Sequence, residues 1–343
     1  PAIDRLADEG MRFDYCYSTP LCTPSRVQIM TGKYNFRNYI GFGILDSTET
    51  TFGDIFQAAG YKTCIAGKWQ LFGNERQQAL VDGLRGSRPE EAGFDRYCLW
   101  QVEDRGFRYK DPTIETTENG LETHPDAYGP DLFLDYIDDF IGRHKEEPFL
   151  VYYPMCLVHD PFLPTPDRDD FDDYESAARV NDTTYFSDMV RYMDHVVDRI
   201  AGTLKSHDLE ENTLLLFTGD NGTDRDVIST FRGQRIPGRK GLTEEYGTHV
   251  PLVAWWPGTI RPGSVNTNLV DFTDFLPTIT EATGIVPPAG FSTDGYSFYP
   301  QLLGDSEAAR EWVFCHYDPN WGRFEKSRYV HNKEWKLYGD GEI

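Results

Sequence analysis

The chain has 343 residues, of which 39% are hydrophobic and 14% aromatic; this is enough for one large α/β domain or two ordinary domains with a substantial core. Its formal net charge is -23, which excludes a general nucleic-acid surface because phosphate binding needs clustered Lys and Arg. A chain of this charge that handles anions must gather a few cations in one pocket.

The six cysteines show no C-x-x-C pair or other short metal-binding spacing, and several lie in apolar runs. We interpret most of them as buried free thiols and leave disulfides open; they are Cys16, Cys22, Cys64, Cys98, Cys156 and Cys315. No apolar run approaches the roughly 20 residues of a membrane-spanning helix. The sequence therefore predicts no membrane span.

The first predicted helix starts at Pro1, carries Ile3 and Leu6 at helical spacing and stops at Gly10. The chain thus opens inside a helix, without an initiator Met or a signal peptide. The absence of a signal therefore does not identify the compartment.

The stretch STPLCTPSRVQIMTGKY predicts a second helix over about 24–31, with Thr23 as its cap and Pro24 in its first turn. Cys22 then lies at a helix N-terminus, where backbone N–H groups and the helix dipole favour an anion. Arg26 lies about one turn further on and can point back toward the thiol. The pair is a candidate anion-binding nucleophile site; a small buried cysteine beside an ordinary helix is the alternative.

The segment YKTCIAG predicts a buried strand over 61–66, and AGKWQLFG then places Lys68 just past its carboxyl end. That position belongs to the edge of the sheet where ligands bind, although a surface loop lysine is the alternative. Residues 70–128 are rich in Gly, Arg, Glu and aromatics. We interpret them as irregular insertion loops around a site.

A helix at about 131–144 and an apolar strand at 148–158 follow. His159 comes directly after that strand, in a loop stiffened by three prolines. An imidazole at a strand end suits general acid or base catalysis. A structural histidine hydrogen-bonded to the backbone is the alternative.

A long amphipathic helix at about 183–206 leads to the predicted strand 212–219. Asp220 and Asn221 come directly after it, and their adjacent carboxylate and amide oxygens are hard ligands suited to Ca²⁺ or Mg²⁺. D-N-G is also a common turn sequence.

The segment GRKGLTEEYGTHVPL places Arg239 and Lys240 between glycines, ahead of a strand at 250–258 and a helix ending at Gly284. Apolar strands alternating with helices predict an α/β fold with a mostly parallel sheet sandwiched by helices. Because ligands gather at the carboxyl ends of such strands, we expect these polar side chains to form one site.

At this point the motifs resemble those of a known family. CTPSR matches the C-x-P-x-R signature of the type I, formylglycine-dependent sulfatases of the alkaline phosphatase superfamily, and GKW, VHDP, DNG and GRKGLTEEYGTHVPL occur in the order of that family. The resemblance implies an alkaline phosphatase-like fold, with a catalytic domain over 1–295 and the beginning of a small C-terminal α+β subdomain over 296–343. It also implies a fragment that lacks the family's first strand and part of the C-terminal subdomain.

The resemblance implies a role for each matching residue. Cys22 would be oxidised to formylglycine, whose hydrate is the nucleophile, and Arg26 would steady that hydrate. Lys68 and Lys240 would bind the sulfate oxygens, and His159 would donate a proton to the leaving oxygen.

The implied metal is a divalent cation, usually Ca²⁺ with Mg²⁺ possible, bound by Asp220, Asn221 and the formylglycine made from Cys22. The two further aspartates that the family takes from its first strand have no counterpart here. Gln70 also stands where the family usually has a histidine after the tryptophan, and it cannot take a proton from the hydrate. His249 is a candidate substitute base, with a structural role at a strand start as the alternative.

The resemblance predicts a sulfuric ester hydrolase that cleaves a sulfate monoester, on a carbohydrate, with a maturation enzyme as a further partner. It favours a periplasmic or secreted location. The segment with Trp100, Arg105, Arg108 and Tyr109 is a candidate sugar or aryl subsite. The alternatives are a phosphonate monoester or phosphodiester hydrolase of the same superfamily, and a catalytically impaired sulfatase-like protein that binds sulfated ligands.

Overall fold

The computed structural model describes residues 1–103, 105–178, 180–305 and 309–341. Within them, the α-helices are α1 (Ala2–Glu9), α2 (Cys22–Thr31), α3 (Phe52–Ala58), α4 (Glu75–Ala79), α5 (Gly129–His144), α6 (Phe186–Ser206), α7 (Glu245–Thr248), α8 (Phe275–Thr283) and α9 (Tyr299–Leu302). The strands are β1 (Met11–Tyr17), β2 (Lys62–Lys68), β3 (Arg96–Trp100), β4 (Thr113–Thr116), β5 (Gly120–Thr123), β6 (Phe149–Tyr152), β7 (Leu215–Thr218), β8 (Ile228–Phe231), β9 (Gln234–Pro237), β10 (His249–Trp255), β11 (Ser264–Asp271), β12 (Val313–Tyr317), β13 (Ser327–His331) and β14 (Lys336–Tyr338).

Two sheets form the centre of the described part of the chain. One has the order β11-β1-β10-β7, and the other has the order β5-β4-β3-β2-β6. β1 is parallel to β11, and β2 is parallel to both β3 and β6, whereas β10 runs antiparallel to β1 and β7. The fold is α/β, as the alternation of strands and helices predicts.

The end strands β6 and β7 of these two sheets line opposite sides of one cleft. Their residues are all half-buried, whereas β2 is buried along almost its whole length. The segments that follow these two strands, 153–159 and 219–224, line the same cleft, and this positions the candidate site.

Helices cover both faces of the sheets. On one face α5 contacts β2, and α6 contacts α5 and α1; Val196, Val197, Ala201 and Leu204 of α6 are buried there. On the other face α2 packs against α8. Burial of each of these valine and leucine side chains contributes about 1.5–3 kcal/mol, so the apolar faces of the helices hold them on the sheets.

Local sequence explains the ends of the helices. Thr51 and Asp54 form a reciprocal capping box at the start of α3. Gly32 ends α2 with a φ of 65°, a left-handed conformation that costs glycine nothing. The predicted helices around 2–9, 131–144 and 183–206 are confirmed by α1, α5 and α6.

Three predicted elements differ from the structure. The strand expected over 148–158 ends at Tyr152, because the chain turns away toward His159. The segment 70–128 is not wholly irregular, since it contains α4 and the strands β3, β4 and β5. The second helix begins at Cys22, and Leu21 occupies the cap position without a side-chain bond, whereas the Thr23 hydroxyl accepts the N–H of Gly43 at 3.1 Å.

The strands β12, β13 and β14 form a small antiparallel sheet near the end of the chain. This sheet packs next to β1, where the rings of Tyr17 and His331 lie 4.2 Å apart. The division into domains at residue 295 stays a prediction. All six cysteines are free and buried, and among the described residues we find no helix with the length and apolarity needed to cross a bilayer.

Candidate active site

The cleft between β6 and β7 has a volume of about 620 Å³ and is apolar along most of its length. Side chains of α5 and α6, such as Ile137, Met193 and Val197, form part of its wall. The charged residues and the histidine of the wall lie at or after the carboxyl ends of β2, β6 and β7, in α2, or in the loop between β9 and α7. Six of the seven site residues predicted from the sequence line it: Arg26, Lys68, His159, Asp220, Asn221 and Lys240.

Cys22 is the seventh predicted residue, and it does not line the cleft. It is the first residue of α2 and is 2% exposed, packed with Leu21, Phe42 and Tyr317. It lies close enough to Lys68 for a thiolate there to raise the pKa of the lysine. The thiol is therefore beside the cleft, at the N-terminal end of a helix.

The Arg26 guanidinium is anchored at the carboxyl end of β2. It donates to the backbone carbonyls of Lys68, at 2.9 Å, and Trp69, while its Nε is buried without a hydrogen-bond partner. Arg26 thus ties α2 to the end of β2 and keeps one unpaired donor. Hydrogen bonds from a charged group contribute about 1.5–3 kcal/mol each, so this residue has a structural role whatever it does to a ligand.

Lys68 is the last residue of β2 and is 4% exposed. Burial lowers the pKa of its ammonium group, and the positive charges of Arg26 and Lys240 lower it further, while Cys22 and Asp220 oppose the shift. A buried cation near two others is stabilised when an anion binds among them. This end of the cleft is consequently suited to an anionic group.

His159 and Asp160 form a pair at the mouth of the loop after β6. The Nδ1 atom of His159 lies 2.8 Å from both the backbone oxygen and the Oδ1 atom of Asp160. Because both partners are acceptors, Nδ1 carries the proton and Nε2 has the free lone pair. Lys240 Nζ lies 4.0 Å from the same Oδ1 atom.

Burial, together with the positive charges around this pair, keeps His159 neutral. Burial lowers the pKa of His159 to about 3, with further lowering by Lys240, Arg108 and Lys68, while the hydrogen bond to Asp160 opposes it. That hydrogen bond also holds the pKa of Asp160 well below its usual range. The pair at neutral pH is therefore an uncharged imidazole and a carboxylate.

Asp220 and Asn221 bring two oxygen ligands to the cleft. The Asn221 amide donates to the carbonyl of Gly222 at 2.9 Å, but its Oδ1 atom is buried without a partner, as a metal ligand would be. Ca²⁺ takes six to eight oxygen ligands, and no group of three or more His, Cys, Asp or Glu side chains suited to a metal occurs within the described residues. Asp220 and Asn221 therefore do not by themselves make up a complete cation site within the described part of the chain.

Gln70 is the second residue after β2, and Gln101 is the first residue after the neighbouring strand β3. Both residues have a positive backbone φ angle, 44° and 56°, which residues other than glycine seldom adopt. Hydrogen bonds of 2.9 Å from Trp69 N to Trp100 O and from Gln70 N to Gln101 O hold this conformation. Each glutamine Oε1 is buried without a partner, so two unpaired acceptors lie at these strand ends. Nothing in the sequence pattern distinguishes Gln101.

His249, the candidate substitute base, does not line the cleft. Its Nε2 lies 2.8 Å from the backbone oxygen of Asp14 and its Nδ1 lies 3.2 Å from Glu245. The hydrogen bond to Glu245 raises the pKa of His249. The structure thus supports the alternative, a structural histidine at the start of β10.

Comparison with known proteins shows the family. The family model described as Sulfatase matches residues 1–285, and that described as N-sulphoglucosamine sulphohydrolase, C-terminal, matches residues 239–339. The chain is 30% identical to the uncharacterized sulfatase YdeN of Escherichia coli over 88% of this chain and 56% of that protein. It is 27% identical to the N-acetylgalactosamine-6-sulfatase of Canis lupus familiaris over 99% of this chain and 69% of that protein. The chain thus spans little more than half of the first relative.

Solved structures show the fold. The crystal structure of Ps i-CgsB matches with a TM-score of 0.79 and 20% identity over 98% of this chain and 78% of that chain. The phosphonate monoester hydrolase of Agrobacterium radiobacter matches with a TM-score of 0.71 and 16% identity over 98% of this chain and 82% of that chain. The predicted fold is confirmed by these matches, and the chain belongs to the sulfatase family.

Proposed function

We propose that this protein hydrolyses a sulfate monoester, on a carbohydrate, with a formylglycine derived from Cys22. The observation that carries the proposal is the meeting of Lys68, Lys240 and His159 at one end of a cleft beside Cys22, in a chain whose net charge is -23. Membership of the sulfatase family supports it, and the name of the N-acetylgalactosamine-6-sulfatase relative supports a sugar as the alcohol.

Lys68 and Lys240 bind the sulfate oxygens in this proposal. Both are cations at the cleft wall, and their side chains are mostly withdrawn from water. In such surroundings they attract an anion more strongly than in bulk water. They also offset the negative charge that grows on the sulfate oxygens and the leaving oxygen during hydrolysis.

Cys22 is the precursor of the nucleophile. Oxidation of the Cys22 side chain to formylglycine would supply an aldehyde hydrate, whose chemistry is nucleophilic displacement of the alcohol at sulfur followed by release of sulfate. Its place at the start of α2 is suited to anionic oxygens, because no side chain caps that helix end. Conversion of the buried thiol requires a maturation enzyme, which is the protein partner that we propose.

His159 donates the proton to the leaving oxygen. In the ligand-free protein it is neutral, with its proton on Nδ1, so Nε2 has none to give. A sulfate ester bound between Lys68 and Lys240 cancels part of the positive charge that lowers the pKa of His159. Substrate binding thereby lets Nε2 take up a proton, and Asp160 stabilises the resulting imidazolium.

Asp220 and Asn221 are the residues that we propose for a divalent cation, Ca²⁺ or Mg²⁺. The unpaired Asn221 oxygen supports this. Since the described residues do not complete the ligand set, we derive no step of the reaction through a metal.

The proposal is tested with protein produced together with a maturation enzyme. Peptide mass analysis around Cys22 measures conversion, and kcat/KM is then compared for 4-nitrophenyl sulfate and bis(4-nitrophenyl) phosphate. We expect a clear preference for the sulfate and no turnover by Cys22→Ala. A large preference for the phosphodiester would instead identify a phosphodiester or phosphonate hydrolase.

A second candidate function is the binding of sulfated ligands without turnover. Gln70, which cannot act as a base, and the partial cation site favour it. It predicts an unconverted Cys22, together with sulfated saccharide binding that Lys68→Met and Lys240→Met abolish.

A further inference from the structure

Within the described part of the chain, Arg108 is a buried cation without a carboxylate partner. It is 7% exposed, its Nη1 atom has no hydrogen-bond partner, and no carboxylate of the described residues forms an ion pair with it. Arg310 is buried to the same extent, yet its guanidinium is held by Asp274, with Nε 2.8 Å from Oδ2. A buried charge is costly unless it is paired, so the unpaired state of Arg108 needs an explanation.

The surroundings of Arg108 hold its guanidinium in a fixed orientation. The guanidinium carbon lies 4.0 Å from the ring centre of Trp100 and 6.0 Å from that of Tyr109. Trp100 is the last residue of β3, opposite Lys68 of β2, and its Nε1 donates to the carbonyl of Gly106 at 2.9 Å. Arg108 is thus stacked on a rigid strand end next to the proposed sulfate site.

Arg108 also lies beside the loop of His159. The hydroxyl of Tyr109, the next residue, is 2.7 Å from the carbonyl oxygens of both Cys156 and His159. The charge of Arg108 lowers the pKa of His159 and of Asp160. Unlike Lys68 and Lys240, however, it does not line the cleft. It is therefore next to the reacting centre without being part of it.

An arginine fixed in this way is suited to one kind of ligand. Its planar set of donors matches the two oxygens of a carboxylate or the edge of a sulfate, and stacking on Trp100 already restricts its rotation. Its buried Nη1 atom has no hydrogen-bond partner among the described residues, so this donor is still available to a ligand group. In the proposed function Lys68 and Lys240 bind the scissile sulfate. Arg108, on the other side of His159, is not needed to bind that sulfate.

We propose that Arg108 binds a second anionic group of the substrate, a carboxylate or a sulfate carried by the saccharide leaving group beside the scissile sulfate. The substrate is then an acidic saccharide with at least two anionic groups. This rests on the proposed function for the identity of the first group, and it makes Arg108 a specificity residue.

The test measures binding, so that it does not depend on turnover. Protein with unconverted Cys22 is titrated calorimetrically with three disaccharides: one with a single sulfate, one with two sulfates, and one with a sulfate and a uronate carboxylate. We expect the wild type to bind one or both two-anion ligands at least tenfold more tightly than the monosulfate, and the pair of ligands shows which anion is preferred.

Arg108→Gln should remove that preference and change monosulfate binding less than twofold. The matched control is Arg85→Gln, since Arg85 is an exposed arginine paired with Glu91, and it should leave all three affinities unchanged. Thermal unfolding of each variant checks that it is folded. Arg108→Lys, which keeps the charge and loses the planar donors, should retain only part of the preference.

Three results would overturn the proposal. A wild type with no preference for two anions does so without any variant. Equal weakening of all three ligands in Arg108→Gln would place Arg108 at the scissile sulfate, and unchanged affinities would make it structural. A matured protein that hydrolyses no sulfate ester but keeps the Arg108-dependent preference would reject the proposed function and leave this anion subsite standing.

Discussion

The imidazole of His159 is bonded through Nδ1 to the carboxylate of Asp160, the residue that follows it, at 2.8 Å. This contact fixes the tautomer, because the carboxylate accepts and the ring must donate. It also opposes the combined effect of burial and nearby cations on the pKa of the ring. Asp160 is therefore a positioning residue for His159.

Replacing Asp160 by Asn should weaken the proton donor. Loss of the carboxylate lowers the pKa of His159 further, so the protonated fraction of the substrate complex falls at every pH. We expect kcat to fall roughly 10- to 100-fold and the alkaline limb of the kcat profile to move to lower pH. The profile is measured between pH 5 and 9 on a sulfate ester.

The control for this change is Asp8→Asn, because Asp8 is an exposed carboxylate on α1, away from the cleft. It should leave both kcat and its pH profile unchanged. An Asp160→Asn profile identical in position to that of the wild type would contradict the positioning role.

His159 should make the fold less stable in acid. Its pKa in the folded protein is about 3, below the value of about 6.5 in an unfolded chain. As the pH falls below 6.5, the unfolded chain binds a proton at this residue and the folded protein does not, so stability is lost toward pH 3. Asp160 does not contribute to the loss of stability in the upper part of this pH range, because its carboxylate stays ionised there; its pKa in the folded protein is well below 3.8.

His159→Gln should remove this part of the pH dependence. We expect the loss of unfolding free energy between pH 7 and pH 4.5 to be smaller in the variant by about 2 kcal/mol. Urea unfolding at the two pH values measures it, with His195→Gln as the control at an exposed position of α6. An equal loss in wild type and variant would show that His159 titrates normally.

Arg26→Met should destabilise the protein. The change removes the charged donors from the carbonyls of Lys68 and Trp69 and leaves both acceptors buried. The expected loss is about 2–4 kcal/mol in urea unfolding. Arg85→Met is the comparison, since an exposed pair contributes less than about 1 kcal/mol. A loss below that value for Arg26→Met would refute its role in joining α2 to β2.

Asn221→Ala separates stability from activity. Among the described residues its Oδ1 atom has no hydrogen-bond partner, and its amide donates to the carbonyl of the next residue, so we expect less than about 1 kcal/mol of destabilisation. If the oxygen binds a cation or substrate, kcat/KM should fall more than about tenfold.

The opposite result is expected for Asn74→Ala. Asn74 caps α4 through a reciprocal capping box, so its loss should cost about 1 kcal/mol without changing kcat/KM. Equal activities of Asn221→Ala and the wild type would remove Asn221 from the site.

Much of the fold follows from local sequence. The apolar periodicity of α5 and α6 and the terminal glycine of α2 act within a few residues, so the sequence is sufficient to predict these helices. The lengths and directions of the strands are harder to predict from the sequence, because each strand pairs with segments that are distant in the chain. Two features were not predicted for this reason: β10 runs antiparallel to its neighbours, and the segment 70–128 contains three strands.

The sequence by itself determined which chemistry-bearing residues follow strand ends, and that was enough to bring Lys68, His159 and Asp220 to one cleft. The sequence could not determine the protonation or the hydrogen-bond partners of the polar residues in this region. The neutral imidazole of His159 and the anchoring of Arg26 to backbone carbonyls arise from neighbours far away in the chain, and the burial of the Arg108 Nη1 atom without a partner among the described residues is likewise a property of the folded chain. Burial and charge are properties of the assembled tertiary structure, and only that structure decided them.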